Sequence, residues 1–165
     1  MKTEIRNIQV ERWSVISSRP FEEIVTVLGA AVGHPEIRAF FREISAAGSL
    51  AGLETIVERA LGPSGFMEFM RLDLGGIVAS ESRDAARICR FIIGNPLVMK
   101  EMVKHVSDAA SYAPVTVLIA ERGDSVCLSY DRMASFIAPY GSVEASKVAL
   151  DLDTKIESLL SEIAR

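Results

Sequence analysis

The clearest pattern in the sequence is a pair of strand-like runs separated by a short turn signal. Val115–Ala120 carries apolar residues on both alternating sides, and Ser125–Tyr130 follows after the dipeptide Gly123-Asp124. Because a Gly-Asp pair accepts the backbone angles of a tight turn, the pattern predicts an antiparallel hairpin. A strand that is apolar on both sides is typical of the centre of a sheet that is covered on both faces.

A strand followed by a capped helix precedes this hairpin. Ile88–Ile93 is rich in β-branched residues and stops at Gly94, which predicts a largely buried strand. Asn95 offers a side-chain acceptor to the free amides of a helix, and Pro96 has the backbone angle of a first helical position. The next residues predict a helix on the sheet whose apolar side is formed by Leu97, Met102, Val103 and Val106.

The remaining strands are predicted from alternation of apolar and polar residues. Ile5–Ser17 and Phe66–Leu74 have this pattern, and Ile77–Ala79 predicts a short additional strand. Ser80–Ala86 is polar and predicts a connection.

The remaining helices are predicted from apolar residues at offsets of three and four. Ser17 or Ser18 is expected to cap the first helix, which ends at Gly33. Asp131 is expected to cap a short helical turn, and Ser142 to cap the last helix. The apolar stripe of that last helix consists of Ala145, Val148, Ala149, Leu152, Ile156, Leu159, Leu160 and Ile163.

Residues 33–62 are predicted to form a helical hairpin. Its two helices, Pro35–Ala46 and Ser49–Leu61, each have an apolar edge that needs a partner. These edges would pack on each other, cover a pocket or meet a second subunit, and the sequence leaves the three alternatives open.

Four short motifs resemble a known family. They are Ile92–Pro96, Tyr112–Val115, Ser129–Arg132 and Leu152–Lys155. On these motifs, the chain from Phe66 to Ala164 resembles the family called domain of unknown function 302. The resemblance implies an α+β fold of the TATA-binding-protein-like type with a β-α-β-β-β-β-α order. It also implies that a dimer is common, and it supplies no activity that can be transferred residue by residue.

Two features depart from that family: Met133 stands where the family often has proline, and the hairpin at 33–62 is an insertion. We therefore predict a single α+β domain over residues 1–165, a length that can bury a substantial core. It should contain an antiparallel sheet of about five strands with helices packed on one face and the inserted helical hairpin.

Composition limits the partners of this domain. A net charge of −4, a pI near 5.3 and the lack of a basic stripe oppose binding to nucleic acid. Although 49% of the residues are hydrophobic, no run approaches the roughly 20 apolar residues that span a bilayer, so no membrane span is predicted. The apolar surplus on several strands instead predicts a homodimer.

Residue types that carry metal, redox or nucleotide chemistry are sparse. Cys89 and Cys127 lie in predicted strands without a C-x-x-C neighbour, which predicts buried free thiols. His34 and His105 fall in different elements, so no metal site is predicted, and no cofactor motif is evident. The N-terminus lacks the apolar core of a secretory signal, and we expect a cytoplasmic protein.

Four polar residues are candidates for a ligand site. Asn95 lies at a helix N-terminus, where free amides can hold an anion, although capping is its simpler role. Tyr130 and Asp131 would either line the mouth of a pocket or serve as packing and cap. Asp73 lies on the charged side of the predicted strand Phe66–Leu74, which would be wet in a monomer or line a cavity in a dimer.

Three functions are compatible with these features. The first is a binding module that holds a small apolar or amphipathic ligand between sheet and helices, oriented by Tyr130 or Asp73, without catalysis. The second is an enzyme that uses Asp73, Asp131 or Cys89 as its acid, base or nucleophile. The third is a structural or regulatory dimer that has no pocket.

Overall fold

The structure is a computed structural model of the chain, and it describes residues 1–78 and 86–165. Its strands are β1 (Arg12–Ser17), β2 (Met67–Asp73), β3 (Ile88–Gly94), β4 (Val115–Arg122) and β5 (Ser125–Asp131). Its α-helices are α1 (Phe21–Ala31), α2 (Ile37–Ala46), α3 (Leu50–Ala60), α4 (Gly75–Val78), α5 (Pro96–Val103), α6 (Met133–Ile137) and α7 (Val143–Ala164). Two 3-10 turns cover Ser107–Ser111 and Ala138–Tyr140.

The strands that the structure describes form one antiparallel sheet in the order β1-β5-β4-β3-β2. The predicted α+β class, the five-stranded sheet and the central position of β4 are confirmed. The β4–β5 hairpin is confirmed as well, because Arg122 pairs with Ser125 and Gly123 turns the chain with a φ of 60°. That φ is strained for a residue with a side chain, so the turn depends on Gly123. Helix α5 separates β3 from β4, as the cap signal at Asn95 predicts.

The main core lies between one face of the sheet and the helices α1, α5 and α7. Alternate strand residues such as Phe91, Val117 and Leu128 are fully buried in it. Each Leu or Ile that is buried contributes roughly 1.5–3 kcal/mol, so α7 supplies a large share of the stability of this core. The buried members of its stripe include Ala145, Ala149, Leu152, Ile156, Leu160 and Ile163.

The opposite face of the sheet is mixed in character. One cross-strand row on it is apolar: Ile16 pairs with Cys127, Cys127 with Ala120, and Ala120 with Ile88. Alternate residues of β4 are only half-buried and Ile16 is 70% exposed, so one chain covers this face in part, and full coverage of β4 on both faces stays a prediction. Exposed polar residues on this face include Arg12, Ser14, Arg90 and Arg122.

Helices α2 and α3 form a small second core at the beginning of β2. Phe40 and Val57 are buried against each other and Met67, so the apolar edges of the two helices pack together. The segment that precedes α2 passes very close to the end of α3. A side chain at Gly33 would place its Cβ 2.0 Å from the carbonyl oxygen of Ala60, which only glycine avoids.

A buried carboxylate joins three elements of the fold. Asp153 of α7 is fully buried and accepts hydrogen bonds from the Tyr130 hydroxyl (2.7 Å) and from the amides of Met133 (2.7 Å) and Ala134 (3.1 Å). Tyr130 belongs to β5 and Met133 begins α6, so one side chain ties α7 to the sheet and to α6. The carboxylate also satisfies amides that have no partner within the first turn of a helix.

Asp131 does not cap α6, contrary to the prediction. Its carboxylate accepts hydrogen bonds from Arg12 Nε (2.6 Å) and Nη2 (2.8 Å), while the side chain of Arg132 at the cap position makes no cap hydrogen bond. Asp153 supplies the cap from a distant part of the sequence. Local sequence around Asp131 carries no sign of that partner.

The cap of α1 was also predicted wrongly. The cap position is Pro20, which offers no side-chain acceptor. Ser17 instead donates its hydroxyl to the carbonyl of Ala164 at 2.6 Å, joining β1 to the end of α7. The predicted cap of α7 is confirmed, because Ser142 Oγ accepts from the amide of Ala145 at 3.2 Å.

Two of the predicted strands differ from the structure. Only the last part of Ile5–Ser17 is a strand, because the partner strand β5 ends where Asp131 pairs with the first residue of β1. Ile77–Ala79 does not continue the sheet, since Ile77 lies in α4. Ala79 and residues 80–85 of the predicted polar connection lie outside the described residues.

Among the helices that the structure describes, none combines the length and hydropathy required to cross a membrane.

We predict that Asp153→Ala lowers the free energy of unfolding by about 3 kcal/mol or more, because the buried Tyr130 hydroxyl and the amides of Met133 and Ala134 lose a charged acceptor. Urea denaturation measures this loss. Asp151→Ala is the matched control, since Asp151 lies on the exposed side of the same helix, and it should change stability by about 0.5 kcal/mol at most. Equal effects of the two substitutions would contradict the role given to Asp153.

Candidate functional site

An apolar pocket opens where β3 ends and β4 begins. Its volume is about 170 Å³. Its walls come from α2, β2, the junction of β3 with α5, the beginning of β4 and the middle of α7. The lining residues are Phe41, Phe69, Gly94–Pro96, Val98, Met99, Met102, Ala113–Val115 and Leu152.

Asn95 sets the beginning of α5 at this pocket. Its Oδ1 accepts from the amide of Leu97 at 2.9 Å, and its Nδ2 donates to the carbonyl of Gly65 at 3.0 Å. Pro96 occupies the first helical turn, so the predicted cap is confirmed. Because both ends of the Asn95 amide have protein partners, this side chain does not offer an unpaired polar group to a ligand.

Gly94 allows β3 and the beginning of β4 to approach at the base of the pocket. A Cβ atom at this position would lie 3.1 Å from Cβ of Pro114 and 3.4 Å from the ring of Phe69. The first of these contacts is tighter than ordinary van der Waals packing. A larger residue at position 94 would therefore push apart two walls of the pocket.

The chemical character of the lining is almost wholly apolar. Asn95 is the one polar side chain among the described lining residues, and no ionisable side chain is among them. Met102 is fully buried and Leu152 nearly so, whereas Phe41 is 50% exposed. The pocket therefore runs from an exposed aromatic ring to the apolar core between α5 and α7.

Two phenylalanine rings form the outer side of the pocket. Phe41 of α2 and Phe69 of β2 have ring centroids 6.4 Å apart with an angle of 44° between their planes. Phe41 also meets Phe40 edge to face, with centroids 5.4 Å apart. The hairpin of α2 and α3 thus contributes to the pocket in addition to packing on itself.

The structure separates the four predicted site residues. Asn95 lines the apolar pocket, Tyr130 and Asp131 line a second pocket on the open face of the sheet, and Asp73 lines neither of the two. Asp73 Oδ1 accepts from the amide of Gly75 at 3.0 Å, at the other end of the β2–β3 pair. The hydrogen bond from Arg12 lowers the pKa of Asp131 below its usual value.

Tyr130 is buried in the hydrogen-bond network of Asp153. Burial, and then the nearby Asp153 carboxylate, raise the pKa of Tyr130 well above its usual value, so the phenol stays protonated and donates. Sequence reasoning missed Asp153. The available signal was a carboxylate that falls four residues after Ala149, within the otherwise apolar stripe of the last helix.

Several polar side chains lie near Cys89 of β3. Asp73 is its cross-strand partner, and Arg71 lies over the ring of Phe91 at 4.4 Å while donating to Glu68 at 2.7 Å. Burial raises the pKa of the Cys89 thiol, and the carboxylates of Asp73 and Glu68 act in the same direction. The thiol is therefore held protonated, which disfavours its use as a nucleophile.

Metal ligands do not converge in the part of the chain that the structure describes: no three His, Cys, Asp or Glu side chains are placed to share an ion. His34 Nε2 lies 2.8 Å from the carbonyl oxygen of Gly29. Both cysteines are free and buried, as predicted.

A comparison with known protein families shows which family this chain belongs to. The family described as "Domain of unknown function DUF302" matches residues 43–163, which is more than half of the sequence. The chain belongs to this family. The match begins within α2, so the DUF302 segment includes α3 and every later element, among them most of the pocket, while Phe41 lies just before it.

A solved structure of the DUF302 family has a similar fold. It is the crystal structure of an uncharacterized conserved DUF302 protein from Bacillus stearothermophilus, with a TM-score of 0.65 and 9% sequence identity. The similarity covers 93% of this chain and 98% of the other. At this identity it shows a shared fold alone. No curated protein matches the sequence.

We predict that iodoacetamide at pH 8 leaves Cys89 unmodified in the folded protein and modifies it after denaturation in urea. Because the thiol is buried and stays protonated, alkylation of Cys89 in the native protein should be at least roughly tenfold slower than in the denatured protein. Cys127→Ala leaves Cys89 as the single thiol, so mass spectrometry then reports on this residue alone. Equal native and denatured rates would mean an accessible, reactive thiol.

Proposed function

We propose that this DUF302 protein is a binding module for a small apolar molecule that occupies the pocket at the N-terminus of α5. The observation that carries the proposal is the combination of a 170 Å³ cavity with a lining of apolar side chains and one internally paired amide. Ligand pockets are typically concave and mostly apolar. Transfer of an apolar molecule from water into such a space is favourable.

The position of the pocket supports binding without major rearrangement. Met99 and Met102 both belong to the lining, Met102 as a fully buried residue, and methionine side chains adapt to ligands of different shape. Val115 and Leu152 belong to the main core and provide fixed walls. A ligand would therefore meet adaptable side chains on α5 and rigid side chains on the sheet and α7.

The enzyme hypothesis has less support. Asp73 caps α4, Asp131 is paired with Arg12, and Cys89 is a buried protonated thiol. None of these three residues lines the apolar pocket, and Asp131, which lines a separate pocket on the open face of the sheet, is paired there with Arg12. We therefore propose binding without assigning a catalytic role to any of them.

We predict that toluene and hexanol, titrated separately into protein labelled at its methionine methyl groups, shift the signals of Met99 and Met102 in a saturable manner. Of the six methionines, these two line the pocket, whereas Met70 lies on the open face of the sheet. NMR spectra of the methyl groups measure the effect. Selective shifts would locate the ligand, and the signal of Met70 serves as the internal reference.

Matched variants test the same proposal. Val98→Phe fills the pocket and should weaken toluene binding by at least about tenfold. Val103→Phe is the control, because Val103 is a half-buried residue of the same helix that does not line the pocket. Absence of any saturable shift in folded wild-type protein, for both probes, would contradict the proposal.

We also propose that the protein forms a homodimer through the open face of the sheet. The observation that favours it is the apolar row Ile16, Cys127, Ala120 and Ile88 across four strands. Ile16 is its most exposed member at 70%. Ile88 and Ala120 are half-buried and Cys127 is already buried within one chain. The apolar surface that remains is typical of a site where a second chain binds, and a symmetric partner would cover it in both copies.

We predict a dimer at micromolar concentration in size-exclusion chromatography with light scattering, and a monomer for Ile16→Glu, because a buried unpaired carboxylate is costly. Leu150→Glu is the control, since Leu150 is 50% exposed but belongs to α7 on the other side of the sheet. Wild-type protein that stays monomeric would contradict the proposal.

A further inference from the structure

The lining of the pocket disfavours a charged ligand. Its one polar side chain, Asn95, uses Oδ1 for the amide of Leu97 and Nδ2 for the carbonyl of Gly65. No ionisable side chain lines the cavity among the described residues. A charged group inside the cavity would lose its hydration without gaining a counter-charge from the lining, which is unfavourable. The cavity therefore fits an uncharged molecule.

The size of the cavity limits the ligand to one small ring or an equivalent hydrocarbon. Its volume is about 170 Å³. Apolar cavities of roughly 150 Å³ engineered in other proteins stay dry and bind benzene. Larger molecules such as long acyl chains would extend past Phe41, the exposed residue at the outer side of the pocket.

The lining contains groups that favour an aromatic ring over a saturated one. Phe41 and Phe69 both line the pocket, with ring centroids 6.4 Å apart and 44° between their planes, a separation at which aromatic rings interact favourably. Met99 and Met102 belong to the same lining, and the sulfur of methionine makes favourable contacts with the edge of an aromatic ring. Aromatic and sulfur groups thus contribute two walls of one cavity.

We infer that the ligand class of this pocket is a neutral molecule with a single aromatic ring. The ring would contact side chains of a lining that includes Phe41, Phe69, Met99 and Met102, and its substituents would stay small and uncharged. This inference rests on the proposed function and makes it more specific. Phe41 is then the residue that determines the preference for an aromatic ring.

Three probes separate charge, aromaticity and simple apolarity. Phenol and cyclohexanol have the same number of carbon and oxygen atoms, and benzoate is an aromatic anion. Titration of each into methionine-labelled wild-type protein should show that phenol binds about three- to tenfold more tightly than cyclohexanol. Phenol should also move the Met99 and Met102 methyl signals upfield through its ring current, and benzoate should not bind at the same concentrations.

The variant Phe41→Leu tests the assigned role of Phe41. It keeps an apolar side chain at an exposed position, so the protein should fold, and the preference for phenol over cyclohexanol should fall to about twofold or less. Phe136→Leu is the control, because Phe136 stacks on Tyr112 away from the pocket, and the preference should persist.

The outcomes distinguish a failure of the inferred ligand class from a failure of the proposed binding function. Equal or tighter binding of cyclohexanol in wild-type protein overturns the aromatic class and leaves apolar binding intact. Binding of benzoate as tightly as phenol overturns the exclusion of charge. Failure of toluene and hexanol as well as all three probes overturns the proposed function itself.

Discussion

The fold depends on one buried charge-bearing group that is surrounded by donors. Asp153 accepts from the Tyr130 hydroxyl and from the amides of Met133 and Ala134, at 2.7, 2.7 and 3.1 Å. A buried carboxylate is tolerated only when hydrogen bonds replace its water, so the sheet, α6 and α7 must meet in this one arrangement. Met133 contributes an amide that a proline at this position would lack. The network therefore gives the longest helix a fixed position on the sheet.

That position also determines the shape of the pocket. Leu152, adjacent to Asp153 in α7, forms one wall, and Val115 at the beginning of β4 forms another. Movement of α7 by a fraction of a turn would replace Leu152 with a neighbouring polar residue such as Asp151 or Thr154. The position of α7 on the sheet therefore determines both the hydrogen-bond network of Asp153 and the apolar wall that Leu152 gives the cavity.

The parts of the structure that sequence predicts well have causes within a few residues. Asn95 and Pro96 begin α5, and Gly123 turns the hairpin, because caps and tight turns are local. The sequence suggested a ligand site near Asn95 but not its full lining, because Phe41 and Leu152 come from distant segments. The function of Asp131 was misjudged for the same reason: the amides that its sequence position suggests it would cap are already bound by Asp153.

Hydrogen exchange at the amides of Met133 and Ala134 tests the central claim most directly. If both donate to a buried carboxylate that ties three elements together, they exchange only when the whole domain unfolds. Native-state exchange in increasing urea should then give both amides the same free energy of opening as the central residues of β4, such as Val117 and Ile119. Rapid exchange at Met133 and Ala134 while β4 stays protected would contradict this account of the fold.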